Sequence, residues 1–333
     1  MIDPFWKDRR VAVTGAGGFI GSHLAEELAR RGARVRALVH YNSASHWGFL
    51  EQTAPELARR IEIRSGDLTD PYFVDEFVAD RAVVFHLGAL IGIPYSYAAP
   101  AQYVETNMKG TLHVLEACLR RKVGKVVHTS TSEVFGTALY VPIDEKHPRQ
   151  GQSPYSATKI GADALAESFF RSYGLPVAIA RPFNTYGPRQ SARAVIPTIA
   201  SQLLSGAEEL KVGSLTPVRD FNFVSDTVAG FLAVARSPRS AGQDFNLGSG
   251  RGVTVGETVH LLMKLCGRAV PVRTDRARVR PDKSEVLRLL CDRRKAGKLL
   301  GWRPRWTLEK GLAETVAYVR EHLADYKSGR YNV

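Results

Sequence analysis

The chain has little cysteine, fewer acids than bases, and no long apolar run. Its three cysteines, Cys118, Cys266 and Cys291, are scattered over 333 residues, too few and too far apart for a disulfide framework or a zinc site. No apolar stretch approaches the roughly 18 residues that cross a membrane. Residues Met1 to Asp8 also lack the apolar run of a signal peptide. These absences predict a cytoplasmic protein with reduced thiols, no membrane association and no bound metal.

The shortage of acid is local. The whole chain carries 46 Lys and Arg against 33 Asp and Glu, a net charge of +13. Between Arg268 and Arg305 thirteen basic residues face only Asp275, Asp282, Glu285 and Asp292, a net of +9. Such a segment suits a polyanion; part of it reads as solvated surface, and a few arginines as ligands of a pyrophosphate rather than of nucleic acid. The remaining composition, 44% hydrophobic and 24% charged, is that of a globular protein long enough for two domains or for one with an appended lobe.

Strand and helix signals alternate. Arg10 to Thr14 reads as a buried strand, followed by a helix to about Arg31 with Leu24 and Leu28 on one face. Further strands fit Arg34 to Val39, Ile61 to Ile63, Ala82 to Phe85, Lys125 to His128 and Val177 to Ala180. Val104, Met108, Leu112, Leu115 and Leu119 keep a helical period, and Ser153 to Tyr173 is a second long helix. The pattern predicts an α/β fold, a Rossmann-type doubly wound parallel sheet. After Arg181-Pro182 the regularity breaks, with Pro188, Pro197 and Pro217 as punctuation, before one more short strand at Phe245 to Gly248. The expected organisation is a dinucleotide-binding domain of residues 1–182 plus about 224–250. Residues of about 183–223 plus 251–333 then form a smaller, discontinuous C-terminal substrate lobe.

Gly15, Gly18 and Gly21 follow the first strand at the mouth of a helix. Glycine is required where a backbone turns tightly and approaches a phosphate, and the helix N-terminus offers unpaired N–H groups to a pyrophosphate. An acid commonly ends the second strand and binds the ribose 2′-hydroxyl of NAD. Here the segment reads Leu38-Val39-His40-Tyr41-Asn42, so NAD and NADP both remain admissible. Asp67-Leu68 is a candidate for the adenine edge. Tyr155 and Lys159 lie four apart on a predicted helix and so share a face. The ammonium is expected to lower the phenol's pKa toward working pH. Thr131, Ser132 and Glu133 follow a strand near its carboxyl end, where open α/β sheets place ligands.

These residues resemble the extended short-chain dehydrogenase/reductase family, specifically its nucleotide-sugar epimerases and dehydratases. The resemblance runs through Gly66-Asp67-Leu68, His86-Leu87-Gly88-Ala89, Asn107, Ser130 to Gly136, Tyr155-x-x-x-Lys159, Arg181 to Pro188 and Arg219-Asp220-Phe221. Tyr41-Asn42-Ser43, Trp47-Gly48, Ile93 to Tyr97 and Pro188 to Pro197 are similar to NAD-dependent 4,6-dehydratases of the legionaminic-acid pathway. The resemblance implies NAD(P), with NAD favoured, bound tightly and recycled. It implies cofactor contacts from Gly15, Gly18, Phe19, Ile20, Gly21, His40, Asp67, Leu68, Leu87, Gly88, Ala89, Asn107, Tyr155, Lys159 and Pro182. Substrate contacts are implied for Ser96, Asn184, Arg193, Arg219 and Arg280, and a homodimer built from the helices around 104–119 and Tyr155.

The implied reaction is 4,6-dehydration of a nucleotide-diphosphate sugar, GDP- or UDP-N-acetylglucosamine. Tyr155 and Lys159 activate the 4-hydroxyl, with Thr131 hydrogen-bonded to it. Glu133 removes the C5 proton once C4 is a ketone, and loss of the 6-hydroxyl follows. Ser132 stands where deoxythymidine-diphosphate-glucose dehydratases carry Asp. The competing enzymatic readings are a 4-epimerase and a UDP-glucuronate decarboxylase. A reading of a different class is a non-catalytic NAD(P)-sensing or RNA-binding protein, which commonly loses the Tyr or Lys retained here.

Overall fold

The computed structural model describes residues 2–279 and 281–327. Six strands come first: β1 (Arg10–Thr14), β2 (Arg34–His40), β3 (Ile61–Gly66), β4 (Val83–His86), β5 (Lys125–Thr129) and β6 (Val177–Pro182). Then come β7 (Asn184–Tyr186), β8 (Leu210–Val212), β9 (Val218–Phe223), β10 (Asp244–Leu247), β11 (Gly252–Thr254) and β12 (Val272–Thr274). The main sheet has the order β10-β6-β5-β4-β1-β2-β3 and every pairing in it is parallel. All four residues of β4 and all six of β6 are buried, because helices cover both faces of a parallel sheet and leave no polar alternation. One face packs Val13, Phe85, Phe231 and Phe245 against Leu24 and Leu28; the other packs Val84 and Val126 against Phe77, Val114 and Leu115.

Beyond Pro182 the chain leaves this sheet, as the prolines foretold. β9 pairs in parallel with β7 and antiparallel with β11, and β12 pairs with β8. These pieces share a separate core of Tyr186, Ile199, Leu203, Phe221, Leu262 and Leu312. The helix Val224–Arg236 then returns the chain to the main sheet, where β10 adds beside β6.

The helix Pro154–Tyr173 starts on a reciprocal cap between Ser153 and Ser156 and ends at Gly174, whose φ of +69° is open to glycine. The segment 104–119 departs from a single α-helix. It is a π turn over Val104–Lys109 and an α-helix over Gly110–Arg120. The buried residues there include Tyr103, Asn107, Thr111, Val114, Leu115 and Cys118, while Val104 is exposed and Met108, Leu112 and Leu119 are half-buried, the last two packed against the core. The amide of Asn107 accepts from Leu90 N–H at 2.8 Å and donates to Leu90 C=O at 3.0 Å and to Thr158 Oγ1 at 3.1 Å. The apolar period holds through Leu112, Leu115 and Leu119 and fails at Val104, in the π turn that carries Asn107.

Under the helix Pro154–Tyr173 lies a charge network whose centre, His128, Asp163 and Arg181, is fully buried. Asp163 accepts from Arg181 at 3.0 Å and from Ser130 Oγ at 2.7 Å, and lies 3.1 Å from His128 Nε2. Arg181 also donates to Asp244 at 3.0 Å, and Asp244 to Lys295 is 3.0 Å. Burial would push the Asp163 carboxyl up, but His128, Arg181 and Ser130 hold it far below the usual range. Removing one partner of a buried pair strands the other charge and costs about 3–5 kcal/mol. Asp163→Asn is therefore expected to lower unfolding free energy by that amount in urea denaturation, and Asp163→Leu combined with Arg181→Met by clearly less. Equal losses in the two proteins would show that the pair is not what is being broken.

Candidate active site

The glycine turn joins β1 to the helix Phe19–Arg30. Gly15 has φ +68°, and a Cβ on Gly21 would lie 2.1 Å from Gly15 O, so neither position accepts a side chain without moving backbone. Gly18 precedes the helix, makes no side-chain cap, and no acid occupies the first turn. The first N–H groups of this helix are thus left for a ligand, which fits the pyrophosphate of a dinucleotide. Phe19 and Ile20 begin the helix and are half-buried. Thr14 Oγ1 accepts from Leu87 N–H at 3.0 Å and Gly88 N–H at 2.9 Å. This fixes the turn Leu87-Gly88-Ala89 beside Gly15.

His40 ends β2 and Asp67 follows β3, with His40 Nδ1 3.4 Å from Asp67 Oδ2. Burial raises Asp67, but the N–H and hydroxyl of Thr69 and the nearby His40 outweigh it and hold the carboxyl below its ordinary range. Leu68 is buried beneath and would touch a Cβ on Gly88 at 2.6 Å. These two residues therefore sit together at the carboxyl ends of β2 and β3.

The structure brings Thr131, Ser132, Glu133, Tyr155 and Lys159 to the carboxyl end of β5. Thr131 caps a short 3-10 turn, Ser132–Phe135, accepting from Glu133 N–H at 3.2 Å. Tyr155, 7% exposed, has Thr131 and the Glu133 carboxyl beside its phenol. Lys159 donates to Thr129 C=O at 2.7 Å. The expectation of a lowered phenol is corrected here. Burial pushes Tyr155 well above its usual value, Glu133 adds to that, and only the neighbouring Thr131 opposes it. Lys159 meets the backbone instead, and burial brings its ammonium down to about 8 against the pull of Asp163.

The remaining predicted residues are less uniformly placed. Pro182 is buried at the end of β6, and Asn184 begins β7 with its Oδ1 buried and unpartnered among the described residues. Arg219 is buried on β9 and ion-paired to Glu285 at 3.0 Å. Arg193 is exposed and lies close to Gly92. Ser96 is fully buried, and its hydroxyl donates to Ile93 C=O at 2.7 Å. Arg280 lies outside the described residues.

Sequence reasoning missed Tyr103, Asp163 and Glu285. The Tyr103 hydroxyl donates to Gly92 C=O at 2.5 Å, and its ring stands edge-on to Tyr155 with centroids 6.3 Å apart. No local signal marks it. Asp163, four residues beyond Lys159 on the same helix, was accessible from helical spacing. Glu285 was counted only as a dilution of the basic segment.

A parallel sheet with a glycine turn on β1 and a buried Tyr-x-x-x-Lys helix defines an extended short-chain dehydrogenase/reductase, an enzyme class built on this arrangement. A family model for GDP-mannose 4,6 dehydratase matches residues 12–315, and the chain belongs to this family of nucleotide-sugar dehydratases and epimerases. A dTDP-glucose 4,6-dehydratase of Actinoplanes sp. is 33% identical over 319 residues, covering 93% of this chain and 98% of the relative. The solved dTDP-glucose 4,6-dehydratase DesIV of Streptomyces venezuelae, with NAD bound, superposes with a TM-score of 0.84. It is 31% identical and covers 96% of this chain and 99% of its own. A UDP-N-acetylglucosamine 4-epimerase of Methanobrevibacter ruminantium superposes at 0.86 with 28% identity, over 95% and 99% of the two chains. Among the described residues no helix is long and apolar enough to cross a membrane.

The depressed Lys159 carries a pH signature. It loses its proton near 8 when folded and near 10.5 when unfolded. Between these values the unfolded chain binds more protons, so this group's contribution to stability rises with pH. Urea denaturation at neutral pH and at about pH 9.5 should therefore shift in favour of wild type over Lys159→Met at the higher pH. The opposite slope would mean that Lys159 is not a desolvated ammonium.

Proposed function

We propose that this chain is a nucleotide-sugar 4,6-dehydratase acting on GDP- or UDP-N-acetylglucosamine. The observation that carries the reading is Glu133, 9% exposed and close to the Tyr155 phenol at the carboxyl end of β5. An epimerase needs no carboxylate to remove a proton from carbon. Ser132, in place of the Asp of dTDP-glucose dehydratases, argues for a different nucleotide sugar than that of the Actinoplanes relative. The enzyme uses NAD(P), whose chemistry is to accept a hydride from C4 and return one at C6.

In this reading Tyr155 takes the proton of the sugar 4-hydroxyl while Thr131 hydrogen-bonds the same oxygen. Burial disfavours the phenolate, and Thr131 beside the phenol works against that shift. The Glu133 carboxylate removes the proton from C5, made acidic by the ketone at C4. The C6–O bond breaks with the electron pair leaving on oxygen and a proton from Glu133 completes the water; C5 then regains a proton through Glu133, balanced by the one that Tyr155 took from the 4-hydroxyl. Arg219 and Arg193 are assigned to the diphosphate, where a guanidinium fork matches phosphate oxygens; Arg280 is assigned there too. Asn184 and Ser96 complete the substrate side, Ser96 acting through the turn of its own helix.

The glycine turn and the ends of β2 to β4 hold the dinucleotide. Asn107 acts by fixing the Leu90 backbone to the Tyr155-bearing helix. Residues 1–182 plus about 224–250 form the dinucleotide domain, and the rest the sugar lobe. The half-buried stripe Met108, Leu112 and Leu119 beside the helix Pro154–Tyr173 supports a homodimer, which light scattering showing a monomer at micromolar concentration would exclude. A cytoplasmic location is proposed with the same assignment.

Incubation with a panel of UDP-, GDP- and dTDP-sugars, followed by NMR, should yield a 4-keto-6-deoxy product from one of them. Inversion at C4 without loss of the 6-hydroxyl would instead make this an epimerase. Tyr155→Phe should abolish the reduced-nicotinamide absorbance that substrate induces. Glu133→Gln should retain that absorbance and lose product by a factor of roughly 10²–10⁴. Near wild-type turnover in Glu133→Gln would remove it as the C5 base.

A further inference from the structure

In a parallel sheet every strand begins on the same edge, so residues preceding or opening neighbouring strands form one rim. Here that rim is basic. Arg10 opens β1, Arg34 opens β2, Arg59 and Arg60 precede β3, and Arg81 precedes β4. All five line one open groove of about 670 Å³. The glycine turn, Asp67, Glu133 and Tyr155 lie at the opposite, carboxyl ends of the strands, so the groove is separate from the active site.

The positive charge in the groove is under-compensated. Its two acids are Asp8 and Glu62. Asp8 is shared between Arg34 at 3.4 Å and Arg60 at 3.6 Å. Glu62 is taken by Arg36 at 2.9 Å and Arg64 at 3.5 Å, neither of which lines the groove. The guanidiniums of Arg10 and Arg59 have no hydrogen bond or ion pair among the described residues. Arg81 donates only to Ala79 C=O, at 3.0 Å. Burial, then the charges of Arg36 and Arg10, push the Arg81 guanidinium below its ordinary pKa despite Glu62. Five like charges are therefore held together on rigid strand ends, with only Asp8, Glu62 and Asp80 among the described residues close enough to offset them.

We propose that this groove is a second anion site that binds a compact polyphosphate. The guanidinium fork pairs with phosphate oxygens through two parallel hydrogen bonds, and several converging forks favour a multivalent oxyanion over a single carboxylate. Two aliphatic residues, Val35 and Ile61, complete the lining. There is no aromatic surface to stack a base, so recognition rests on the phosphate chain, whether inorganic or the tail of a nucleotide. A bound polyphosphate bridges the starts of β1, β2, β3 and β4 and so braces the dinucleotide half of the sheet from beneath.

The test is calorimetric titration of the full chain with inorganic tripolyphosphate at low ionic strength, beside ATP. The active site offers a second place for a polyphosphate, so the decisive comparison is Arg10→Gln combined with Arg81→Gln. Removing two charge-assisted partners should weaken tripolyphosphate binding roughly tenfold or more, with turnover and circular dichroism unchanged. Asp8→Asn, which removes a competing carboxylate, should tighten binding severalfold; a folding defect cannot mimic that gain. ATP binding as tightly as tripolyphosphate assigns the contact to the phosphate chain. Unchanged affinity in the Arg10/Arg81 variant would overturn the proposal. So would a duplex oligonucleotide that binds more tightly than tripolyphosphate at equal phosphate concentration, because the rim would then serve nucleic acid.

Discussion

The structure turns on a single guanidinium. Arg181, with no solvent exposure, is enclosed by Asp163 from the helix Pro154–Tyr173, Asp244 from β10 and Ser130 from the end of β5. An ion taken out of water costs several kcal/mol after relaxation, and only a complete set of partners offsets it. Supplying that set requires β5, β6 and β10 in register and the helix seated at one height above them. Lys295 then completes the far side of Asp244, and the Phe135 ring lies 5.0 Å beneath the guanidinium. The geometry that satisfies Arg181 also fixes where Tyr155 and Lys159 stand, two turns and one turn before Asp163 on the same helix.

The same dryness that enforces this order sets the electrostatics of the reacting groups. Burial acts oppositely on an acid and a base: it raises the Tyr155 phenol and lowers the Lys159 ammonium, so both are driven toward neutrality. Tyr155 and Lys159, the pair proposed to act on the sugar 4-hydroxyl, are thus both pushed toward their uncharged forms by the same burial. Sequence spacing alone suggested the reverse. Four residues of separation set the two side chains on one face, but which neighbour each one meets depends on the Thr129 carbonyl and the Thr131 hydroxyl.

The parallel sheet was legible in the sequence because its strands are short, Val- and Ala-rich and bounded by glycine, and its elements alternate. The glycine turn and Tyr155-x-x-x-Lys159 were legible because each motif has a backbone or helical requirement of its own. Harder to read were groups whose role comes from distant chain. Asn107 is held by contacts to Leu90 and Thr158, which no window of neighbouring residues contains. Glu285 became the partner of Arg219 across 66 residues. Tyr103 reached Tyr155 only through the packing of two helices. The arginine rim was invisible for the same reason: its members are spaced along the chain and are gathered only when four strands align.

The late position of β10 bears on how this chain emerges from synthesis. Asp163 is available to Arg181 from 18 residues upstream, but Asp244 lies 63 residues downstream, and Lys295 a further 51 beyond it. The whole segment that carries β7, β8 and β9 intervenes. A nascent chain that has released Arg181 therefore holds the first six strands with a half-neutralised charge at the edge of its sheet, and the open side of β6 is unpaired. Such an edge invites foreign strands until β10 arrives. Completion of the sheet is accordingly a late, long-range event, because its edge strand β10 is made only after the whole of that intervening segment.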